Sequence, residues 1–487
     1  MERYLTAGSK IELKGIDGHY IIKDIIGRGS SCVVYTTEFF NPNGEKTEHL
    51  LKEFNPRCIS LERVNGVLRP VKKEDIELFE SLFKQFKDGF DKQAKLRTFP
   101  ELKNYTANIQ NTYYDNGTVY IDMTETNGKS YADVEEKSIF DLARRIKVLA
   151  QVIGNYHKRG YLHLDIKPSN IFVRPEDETC EDVKLFDFDS LVPFCEENGK
   201  CVIDKSVSVS YTTEYAPIEL ISASRRGRIG KATDIYEIGE IFFEKLMGRH
   251  STALEHNTWF DYEYNISAPI FKNVNPKVKS LLDEFLGHTI CNVAAERYQT
   301  TEELIEKLDE IIKFADPQKP FLQTTHLSEK FFVGRDEELV QIENELQNTN
   351  KLYISGIGGI GKSELVEQYA KKHSSEYDAI IIATYTTDIK SMICNIPIVN
   401  VADQLPNETQ DEYVNRKVSA LQNIGEENKL FLIIDNYNTE FNSKDDLELF
   451  DKLTACAHKT VITTRNNISD KRVINIKPIE NCQRIKI

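Results

Sequence analysis

The amino-terminal part of the chain alternates between apolar and polar residues. The alternation runs over residues 19–40 and is interrupted by the glycine-containing stretch 27–31. A period of two predicts β-strands, and the glycines predict a hairpin turn between them. A further strand is predicted over 48–54, and the Asn-Gly pair at 116–117 predicts a type I′ hairpin. The chain is therefore predicted to open with a β-rich region.

Apolar residues then recur at helical spacing. The stretch 72–96 carries Phe79, Phe83, Phe86 and Phe90 on one predicted helical face. Another amphipathic helix is predicted over 138–157. Such stripes are the core-facing sides of helices, and no chemistry is assigned to them.

The carboxyl-terminal part has a different pattern. Residues 315–329 contain two prolines and no apolar period, which predicts a linker. Beyond it, short apolar runs such as 430–436 and 459–465 alternate with helical stretches. This alternation predicts an α/β domain with a parallel sheet that binds its ligand at the carboxyl ends of the strands.

Composition limits the function classes. The 487 residues carry a net charge of -15, which disfavours nucleic acid or an anionic membrane as a partner. No apolar run reaches membrane-spanning length, and the first residues lack the apolar core of a signal peptide. The nine cysteines include no C-x-x-C pair, which indicates reduced thiols. A cytoplasmic protein is expected.

Polar groups stand in an apolar frame at residues 161–173, where Asp165, Lys167 and Asn170 occur, and Asp187 follows another apolar run. Acids and an asparagine on loops after strands suit a Mg²⁺-nucleotide site, because Mg²⁺ prefers oxygen ligands and one carboxylate remains to act as a base. The spacing H-x-D-x-K-x-x-N followed by D-F-x resembles the catalytic signature of protein kinases. Residues 19–314 resemble the bacterial eukaryotic-type (Hanks-type) Ser/Thr protein kinases.

This resemblance implies a bilobal α+β kinase fold over residues 19–314, after an amino-terminal extension of residues 1–18. The N-lobe would cover about 19–126 and the C-lobe about 127–314. ATP and Mg²⁺ would be the cofactors, and an unidentified protein would be the substrate. Asp165 would act as the base, Lys167 would neutralise γ-phosphate charge, and Lys52 would hold the α- and β-phosphates. The implied ATP-binding residues are Gly27, Gly29, Val34, Lys52, Met123, Glu125, Asn170 and Asp187, with Asn170 and Asp187 as Mg²⁺ ligands.

The resemblance also implies structural roles outside the chemistry. Thr212 matches the residue that contacts the substrate. Glu219 matches the acid that pairs with an arginine near the end of the domain, for which Arg297 fits. Asp234 matches the residue that ties down the catalytic loop.

Three positions depart from the kinase pattern. Leu164 replaces the usual arginine before Asp165, which predicts activation without phosphorylation of the activation segment. Asp189 replaces the glycine of D-F-G. Gln93 occupies the position of the glutamate that should pair with Lys52, unless the register differs and Glu77 or Glu80 takes that role. These departures keep a pseudokinase scaffold open as the alternative function.

Residues 356–363 form a complete Walker A motif, G-x-x-x-x-G-K-S, between a predicted strand and a predicted helix. Such a loop holds the β-phosphate on backbone amides, while the lysine reaches the β- and γ-phosphates and the serine binds Mg²⁺. Asp435 ends an apolar strand at the Walker B position, and Arg465 ends the next predicted strand. The predicted nucleotide-binding residues are Gly356, Gly358, Gly359, Gly361, Lys362, Ser363, Asp435 and Arg465, with Ser363 and Asp435 as metal ligands.

Together with Val333-Gly334-Arg335, these pieces resemble the NB-ARC type of STAND signal-transduction ATPase over residues 330–487. The helical and winged-helix parts of that family do not follow, so this is expected to be a shortened member or a fragment. The prediction is an ATP-dependent Ser/Thr protein kinase fused to a P-loop nucleotide switch with slow turnover. Self-assembly through the P-loop domain is a further expectation. The weaker alternatives are the pseudokinase scaffold and a pure ATPase.

Overall fold

The computed structural model describes residues 3–106, 109–124, 128–186, 190–197, 200–204, 209–327, 332, 334–438, 443–466 and 472–478. The chain forms two compact units: residues 1–272 with 280–313, and residues 273–279 with 314–487. Within the described ranges, no helix combines the length and the apolar character that a membrane crossing requires.

The first unit opens with a β-rich region and a long helix. Its strands are β1 (Lys10–Ile11), β2 (His19–Arg28), β3 (Cys32–Phe40), β4 (Lys46–Phe54), β5 (Leu61–Val64), β6 (Val67–Pro70), β7 (Ile109–Asp115) and β8 (Thr118–Thr124). Its helices are α1 (Ile76–Leu96) and α2 (Pro100–Lys103). Six strands form a sheet in the order β1-β2-β3-β4-β8-β7. Asn116 and Gly117 have φ angles of 53° and 70°, which confirms the predicted type I′ turn.

The two faces of this sheet bury different side chains, as the period of two predicts. One face carries a cluster that includes Tyr20, Tyr35 and Leu51. The other face packs against α1, whose Phe79, Phe86 and Phe90 are buried beside strand residues such as Met123. Burying each such phenylalanine stabilises the fold by ~1.5–3 kcal/mol, so α1 is held by its apolar stripe.

Residues 55–70, to which the sequence pattern assigns no role, include a β-hairpin. Strands β5 and β6 pair with each other in antiparallel register. Arg63 donates to the buried Glu53 carboxylate at 2.6 Å, and the Leu68 backbone amide donates to the Asn116 carbonyl at 2.8 Å. These contacts anchor the hairpin to β4 and to the β7–β8 turn.

The rest of the first unit is mainly helical. Its helices are α3 (Ile139–Lys158), α4 (Ile218–Ile221), α5 (Lys231–Met247), α6 (Lys277–Gly287) and α7 (Thr301–Ala315), and its strands are β9 (Lys129–Ser130), β10 (Tyr161–Leu162), β11 (Ile171–Val173), β12 (Val183–Leu185), β13 (Val192–Glu197) and β14 (Lys200–Ile203). The Ser138 hydroxyl caps α3 by accepting from the Asp141 amide. The amphipathic helix predicted over 138–157 is confirmed as α3.

A buried ion pair fixes α4 to the chain just before α7. The Arg297 guanidinium donates to both Glu219 carboxylate oxygens, at 2.6 Å and 3.2 Å. The Thr233 hydroxyl donates to the same carboxylate at 3.1 Å. Both charged side chains are buried, so the loss of either one would leave the other as a buried charge without a counter-charge. The pairing predicted for these two residues is confirmed.

The second unit is an α/β domain. Its strands are β15 (Phe321–Leu322), β16 (Lys351–Ser355), β17 (Ala379–Thr384), β18 (Ile398–Val399), β19 (Leu430–Asp435), β20 (Lys459–Thr464) and β21 (Val473–Asn475), and its helices are α8 (Asp336–Asn348), α9 (Lys362–Lys372), α10 (Ile389–Cys394), α11 (Gln410–Glu427) and α12 (Lys444–Ala455). Five strands form a sheet in the order β17-β19-β20-β16-β21. Every pairing in it is parallel, as predicted.

Helices cover both faces of this parallel sheet. Residues of α8 and α9 pack on one face with Ile354, Phe431 and Val461. Residues of α10, α11 and α12 pack on the other face with Ile381 and Ile434. A sheet buried on both faces explains why its strands are almost continuously apolar.

The linker predicted over residues 315–329 needs a correction. Phe321 and Leu322 form β15, which pairs with β18, and both side chains are buried. Two adjacent apolar residues are too few to produce a periodic signal, so the sequence pattern does not reveal this strand. This part of the predicted linker belongs to the second unit.

We expect Arg297→Ala to destabilise the first unit by about 3–5 kcal/mol, because it leaves the buried Glu219 carboxylate without its counter-charge. The matched control is Arg174→Ala, whose half-exposed arginine pairs with the partly exposed Asp182, and which should cost less than about 1 kcal/mol. Chemical denaturation followed by intrinsic fluorescence measures both. Equal losses for the two variants would contradict the assigned role of the buried pair.

Candidate functional site

The loop after β10 is anchored by the buried Asp234 carboxylate of α5. The backbone amides of His163 and Leu164 donate to this carboxylate at 3.0 Å and 2.8 Å. Nε2 of His157 lies 2.7 Å from Oδ2 of Asp234. Leu164 has a φ of 62°, a left-handed conformation that costs on the order of 1–3 kcal/mol for a non-glycine residue. The anchoring predicted for Asp234 is confirmed, and it holds this strained residue in place.

A second acid of α5, which the sequence pattern does not single out, supports the same loop. The Glu237 carboxylate accepts a hydrogen bond from the Ile166 amide at 2.8 Å. Burial, together with the neighbouring Asp234 carboxylate, raises the pKa of Glu237 well above its usual range. The available signal is its position three residues after Asp234, which places both acids on one face of a helix.

The anchored loop presents Asp165 beside two partners. The Lys167 ammonium donates to the Asp165 carboxylate at 2.8 Å and to the Thr212 hydroxyl at 2.6 Å. The Thr212 hydroxyl donates to the other Asp165 oxygen at 2.7 Å. The structure thus joins a carboxylate, a cation and a hydroxyl from segments 47 residues apart in the sequence.

Asn170 is oriented toward the same group. Its side-chain amide donates to the Asp165 backbone carbonyl at 3.0 Å. Since the amide nitrogen is used in this way, the amide oxygen is the atom that remains for a cation. The Phe186 backbone amide donates to the Asn170 carbonyl at 2.8 Å. Asp187, Phe188 and Asp189, which follow Phe186, lie outside the described residues.

The glycine-containing turn between β2 and β3 faces Asp165 across a cleft. Gly29, Ser30 and Ser31 line this cleft of about 580 Å³ together with Asp165 and Phe86. The Gly29 amide donates to the Cys32 carbonyl at 2.9 Å, which closes the turn. Nucleotide phosphates bind to backbone amides of such turns, so the cleft suits a nucleotide beside a carboxylate.

The remaining predicted residues of this site lie on neighbouring strands. Val34 is the register partner of Gly27 across β2 and β3, and of Lys52 across β3 and β4. Met123 is buried in the cluster that packs against α1. Glu125 lies outside the described residues.

The surroundings of Lys52 differ from the kinase pattern. The Lys52 ammonium lies 5.3 Å from the ring centroid of Phe86 on α1, within the range of a cation–π contact. Gln93 is buried two helical turns further along α1, whereas Glu77 and Glu80 are exposed. The structure therefore places an aromatic ring of α1 beside the Lys52 ammonium.

Leu164, which stands where the kinase pattern has an arginine, makes apolar contacts in the structure. Its side chain is fully buried in an apolar cluster with Val192, Ala216 and Leu220, which belong to a later segment of the chain, residues 191–220. Strand β13 of this segment pairs with β10. Residues 191–220 are therefore held to the loop that carries Asp165 by apolar contacts and strand pairing.

The second unit brings its predicted site residues together at the carboxyl ends of β16, β19 and β20. The Lys362 ammonium donates to the carbonyls of Gly356 and Ile357 at 2.9 Å and 3.0 Å. The Ser363 hydroxyl donates to the Asp435 carboxylate at 2.5 Å. Gly359 and Gly361 have φ angles of 75° and 91°, which favour glycine. A glycine-rich loop, an ammonium, a hydroxyl and a carboxylate thus meet at one edge of the sheet.

Cationic groups surround this loop. A side chain at Gly358 would lie 3.4 Å from the Arg465 guanidinium carbon, so that glycine permits the close approach. Burial lowers the pKa of Lys362, and Arg465 lowers it further, while Asp435 opposes both. Arg335 donates to the Ile360 carbonyl at 3.0 Å, and Val333 lies outside the described residues. The loop is a positively charged environment that suits phosphate.

In the part of the chain that the structure describes, no group of three or more His, Cys, Asp or Glu side chains is arranged to hold a metal ion. The predicted ligands Asn170, Ser363 and Asp435 supply amide, hydroxyl and carboxylate oxygens, which suit Mg²⁺. Because each set is small, such an ion would need phosphate oxygens of a nucleotide to complete its coordination.

Comparisons with known proteins identify part of the chain. Residues 99–306 match the family model of the protein kinase domain. Calcium-dependent protein kinase 4 of Plasmodium berghei is 24% identical over 395 residues, which are 76% of this chain and 70% of that protein. A probable serine/threonine-protein kinase of Clostridium acetobutylicum is 24% identical over 354 residues, which are 69% of this chain and 45% of that protein. This chain therefore spans less than half of the clostridial relative.

A solved structure entitled PpkA-294 apo form aligns over its full length with 63% of this chain, at 18% sequence identity and a TM-score of 0.45. The family match covers α3, the loop that carries Asp165 and α5. Residues 99–306 are therefore similar to a protein kinase domain. The matched residues begin after α1, so the glycine turn and Lys52 lie outside them.

We expect Glu237→Gln to change stability in a pH-dependent way. Because the pKa of Glu237 is higher in the folded than in the unfolded chain, wild-type stability falls as the pH rises above the ordinary glutamate pKa. Glutamine keeps an oxygen for the Ile166 amide and has no proton to lose. The Tm advantage of the variant should therefore grow between about pH 5.5 and about pH 8. The exposed Glu178→Gln is the control, and a pH-independent difference would contradict the prediction.

Proposed function

We propose that this protein is an ATP-dependent serine/threonine protein kinase. The observation that carries the proposal is the contact of the Asp165 carboxylate with Lys167 and Thr212 in the cleft that the glycine turn also lines. A carboxylate at this place accepts the proton of a substrate hydroxyl, and an adjacent ammonium offsets charge on the transferred phosphoryl group.

In this mechanism the residues of the proposed site bind ATP or take part in the transfer of its γ-phosphoryl group. The hydroxyl of a serine or threonine on the protein substrate attacks the γ-phosphorus of ATP, its proton passes to Asp165, and ADP leaves. Lys52 holds the α- and β-phosphates, while Gly27, Gly29, Val34 and Met123 form the walls of the nucleotide site. Bound Mg²⁺, held by Asn170 with Asp187, would neutralise phosphate charge. Glu125 would complete the adenine contacts.

The apolar cluster around Leu164 supports activity without phosphorylation of the activation segment. In this cluster, Leu164 contacts the segment through methyl groups, where an arginine would need a phosphate. Hydrophobic contact of this kind is present in the unmodified chain. The proposed kinase is therefore active as synthesised.

The alternative is a pseudokinase scaffold, and the surroundings of Lys52 favour it. Phe86 lies beside the lysine, and Gln93, a neutral residue, is buried on the same helix. The kinase pattern has a carboxylate at the position of Gln93, and a neutral amide there brings no charge to help position the lysine for the phosphates. Such a scaffold would bind ATP and transfer nothing.

We propose that the second unit is a P-loop nucleotide-binding domain of the NB-ARC or STAND type. The supporting observation is the convergence of Lys362, Ser363, Asp435 and Arg465 at one edge of a parallel sheet. Gly356, Gly358, Gly359 and Gly361 would let backbone amides reach the phosphates. Asn436, which follows Asp435, brings no carboxylate to polarise water, so the domain would act as a switch with slow hydrolysis. We also propose that the protein self-assembles through this domain and that it is located in the cytoplasm.

We expect Asp165→Asn to reduce phosphate transfer from γ-labelled ATP by at least about 100-fold, because the amide does not accept the proton of the hydroxyl. Transfer to the chain itself and to a generic protein substrate is measured in the presence of Mg²⁺. Asp309→Asn, at a half-exposed carboxylate of the same unit, should keep full activity. Equal transfer by wild type and Asp165→Asn would contradict the kinase proposal, and bound ATP without any transfer would select the pseudokinase.

We expect calorimetric titration of the full chain with an ATP analogue that is not hydrolysed to give two binding sites. Lys362→Ala should remove one site and Lys52→Ala should weaken the other, because each lysine serves a different set of phosphates. Lys351→Ala, at a partly exposed lysine that pairs with Asp451, is the matched control. Two intact sites in Lys362→Ala would contradict the P-loop proposal.

A further inference from the structure

Two arginines line the cleft that holds Asp165, although the chain carries a net charge of -15. Arg28 belongs to the glycine turn, and Arg57 follows β4; both side chains are exposed. The only other charged residue of the described cleft lining is Asp165, whose charge Lys167 already offsets at 2.8 Å. The described wall of the cleft is therefore positive, on a protein that is negative overall.

The amino-terminal segment before β1 holds both arginines in place. The Arg3 guanidinium donates to the Asn55 side chain at 2.7 Å and to the Pro56 carbonyl at 2.7 Å, on the loop that carries Arg57. The Arg57 backbone amide donates to the Ser30 carbonyl of the glycine turn at 2.8 Å. The Arg28 guanidinium lies 4.6 Å from the ring centroid of Tyr4. This support reduces the entropy that the arginines would lose on binding a ligand.

The same cleft contains a polar group without a protein partner in the described structure. The Ser190 side chain is only 4% exposed, and its hydroxyl makes no hydrogen bond to any described residue. Buried hydroxyls are normally hydrogen-bonded. A hydroxyl donor and two guanidinium groups that line one cleft are a set that binds carboxylate or phosphate oxygens.

We propose that Arg28, Arg57 and Ser190 form a subsite for an acidic side chain of the protein substrate. This inference rests on the proposed kinase function, because it assigns a substrate class to the same cleft. The subsite selects serine or threonine acceptors that have aspartate, glutamate or a phosphorylated residue near them. The activation segment does not need these arginines, since the Leu164 cluster holds it by apolar contacts.

The first test measures binding and does not depend on catalysis. Two fluorescent peptides, an alanine flanked by aspartates and the same alanine flanked by asparagines, are titrated into full-length Asp165→Asn saturated with ADP. The acidic peptide should bind more tightly, and Arg57→Ala should weaken it about fivefold at low ionic strength without changing the neutral peptide. Arg69→Ala, which removes an exposed arginine of β6 in the same unit, is the matched control and should change neither peptide.

The second test measures phosphorylation of the two peptides with serine in place of alanine. Arg57→Ala should raise KM for the acidic peptide and leave kcat and KM for ATP unchanged. Arg57→Glu should reverse the preference between the two peptides, so that the neutral peptide has the lower KM. A rise in KM for ATP alone would overturn the proposal and assign the arginines to the nucleotide. Equal losses for both peptides would also overturn it. If wild type binds the acidic peptide but phosphorylates nothing, the kinase proposal fails and the subsite stands.

Discussion

The buried carboxylate of Asp234 is the group on which the catalytic region depends. A carboxylate without water is costly unless hydrogen bonds replace its hydration, and here the amides of His163 and Leu164 and the ring of His157 do so. The same bonds hold Leu164 in a left-handed conformation that it would otherwise leave. The direction in which Asp165 points is therefore set by a residue of α5, 69 positions later in the chain.

Around Asp234, polar contacts fix individual groups, and apolar contacts hold whole segments of the chain. Glu237 and the Glu219–Arg297 pair fix backbone segments with directional bonds inside the core. Leu164 joins the loop that carries Asp165 to the segment 191–220 by apolar packing. A directional bond sets the orientation of one group, whereas packing holds a whole segment. The site thus combines an oriented carboxylate with a neighbouring segment that is held by apolar contacts.

In the second unit, the strand order brings the site residues together. Strand β20 lies between β16 and β19, so the loop that leads from β16 to α9 lies near Asp435 at the end of β19. The Thr463 hydroxyl of β20 donates to the Asp435 carboxylate at 2.7 Å and so orients it toward Ser363. Parallel strands end at one edge of the sheet, and residues from distant parts of the chain therefore meet there.

Local sequence was enough to predict the longer elements and the motif residues, because periodicity and short spacings are local properties: the phenylalanines of α1, the Asn116-Gly117 turn and the Walker A loop all follow from neighbours along the chain. It did not reveal β15 or the β5–β6 hairpin, and the roles of Asp187 and Glu125 remain predictions. The folded chain was needed to show that Phe86 lies beside Lys52, that Glu237 supports the loop of Asp165, and that Arg57 and Asp165 line one cleft. Each of these depends on how separate elements pack, and packing between distant residues leaves no periodic signal in the sequence.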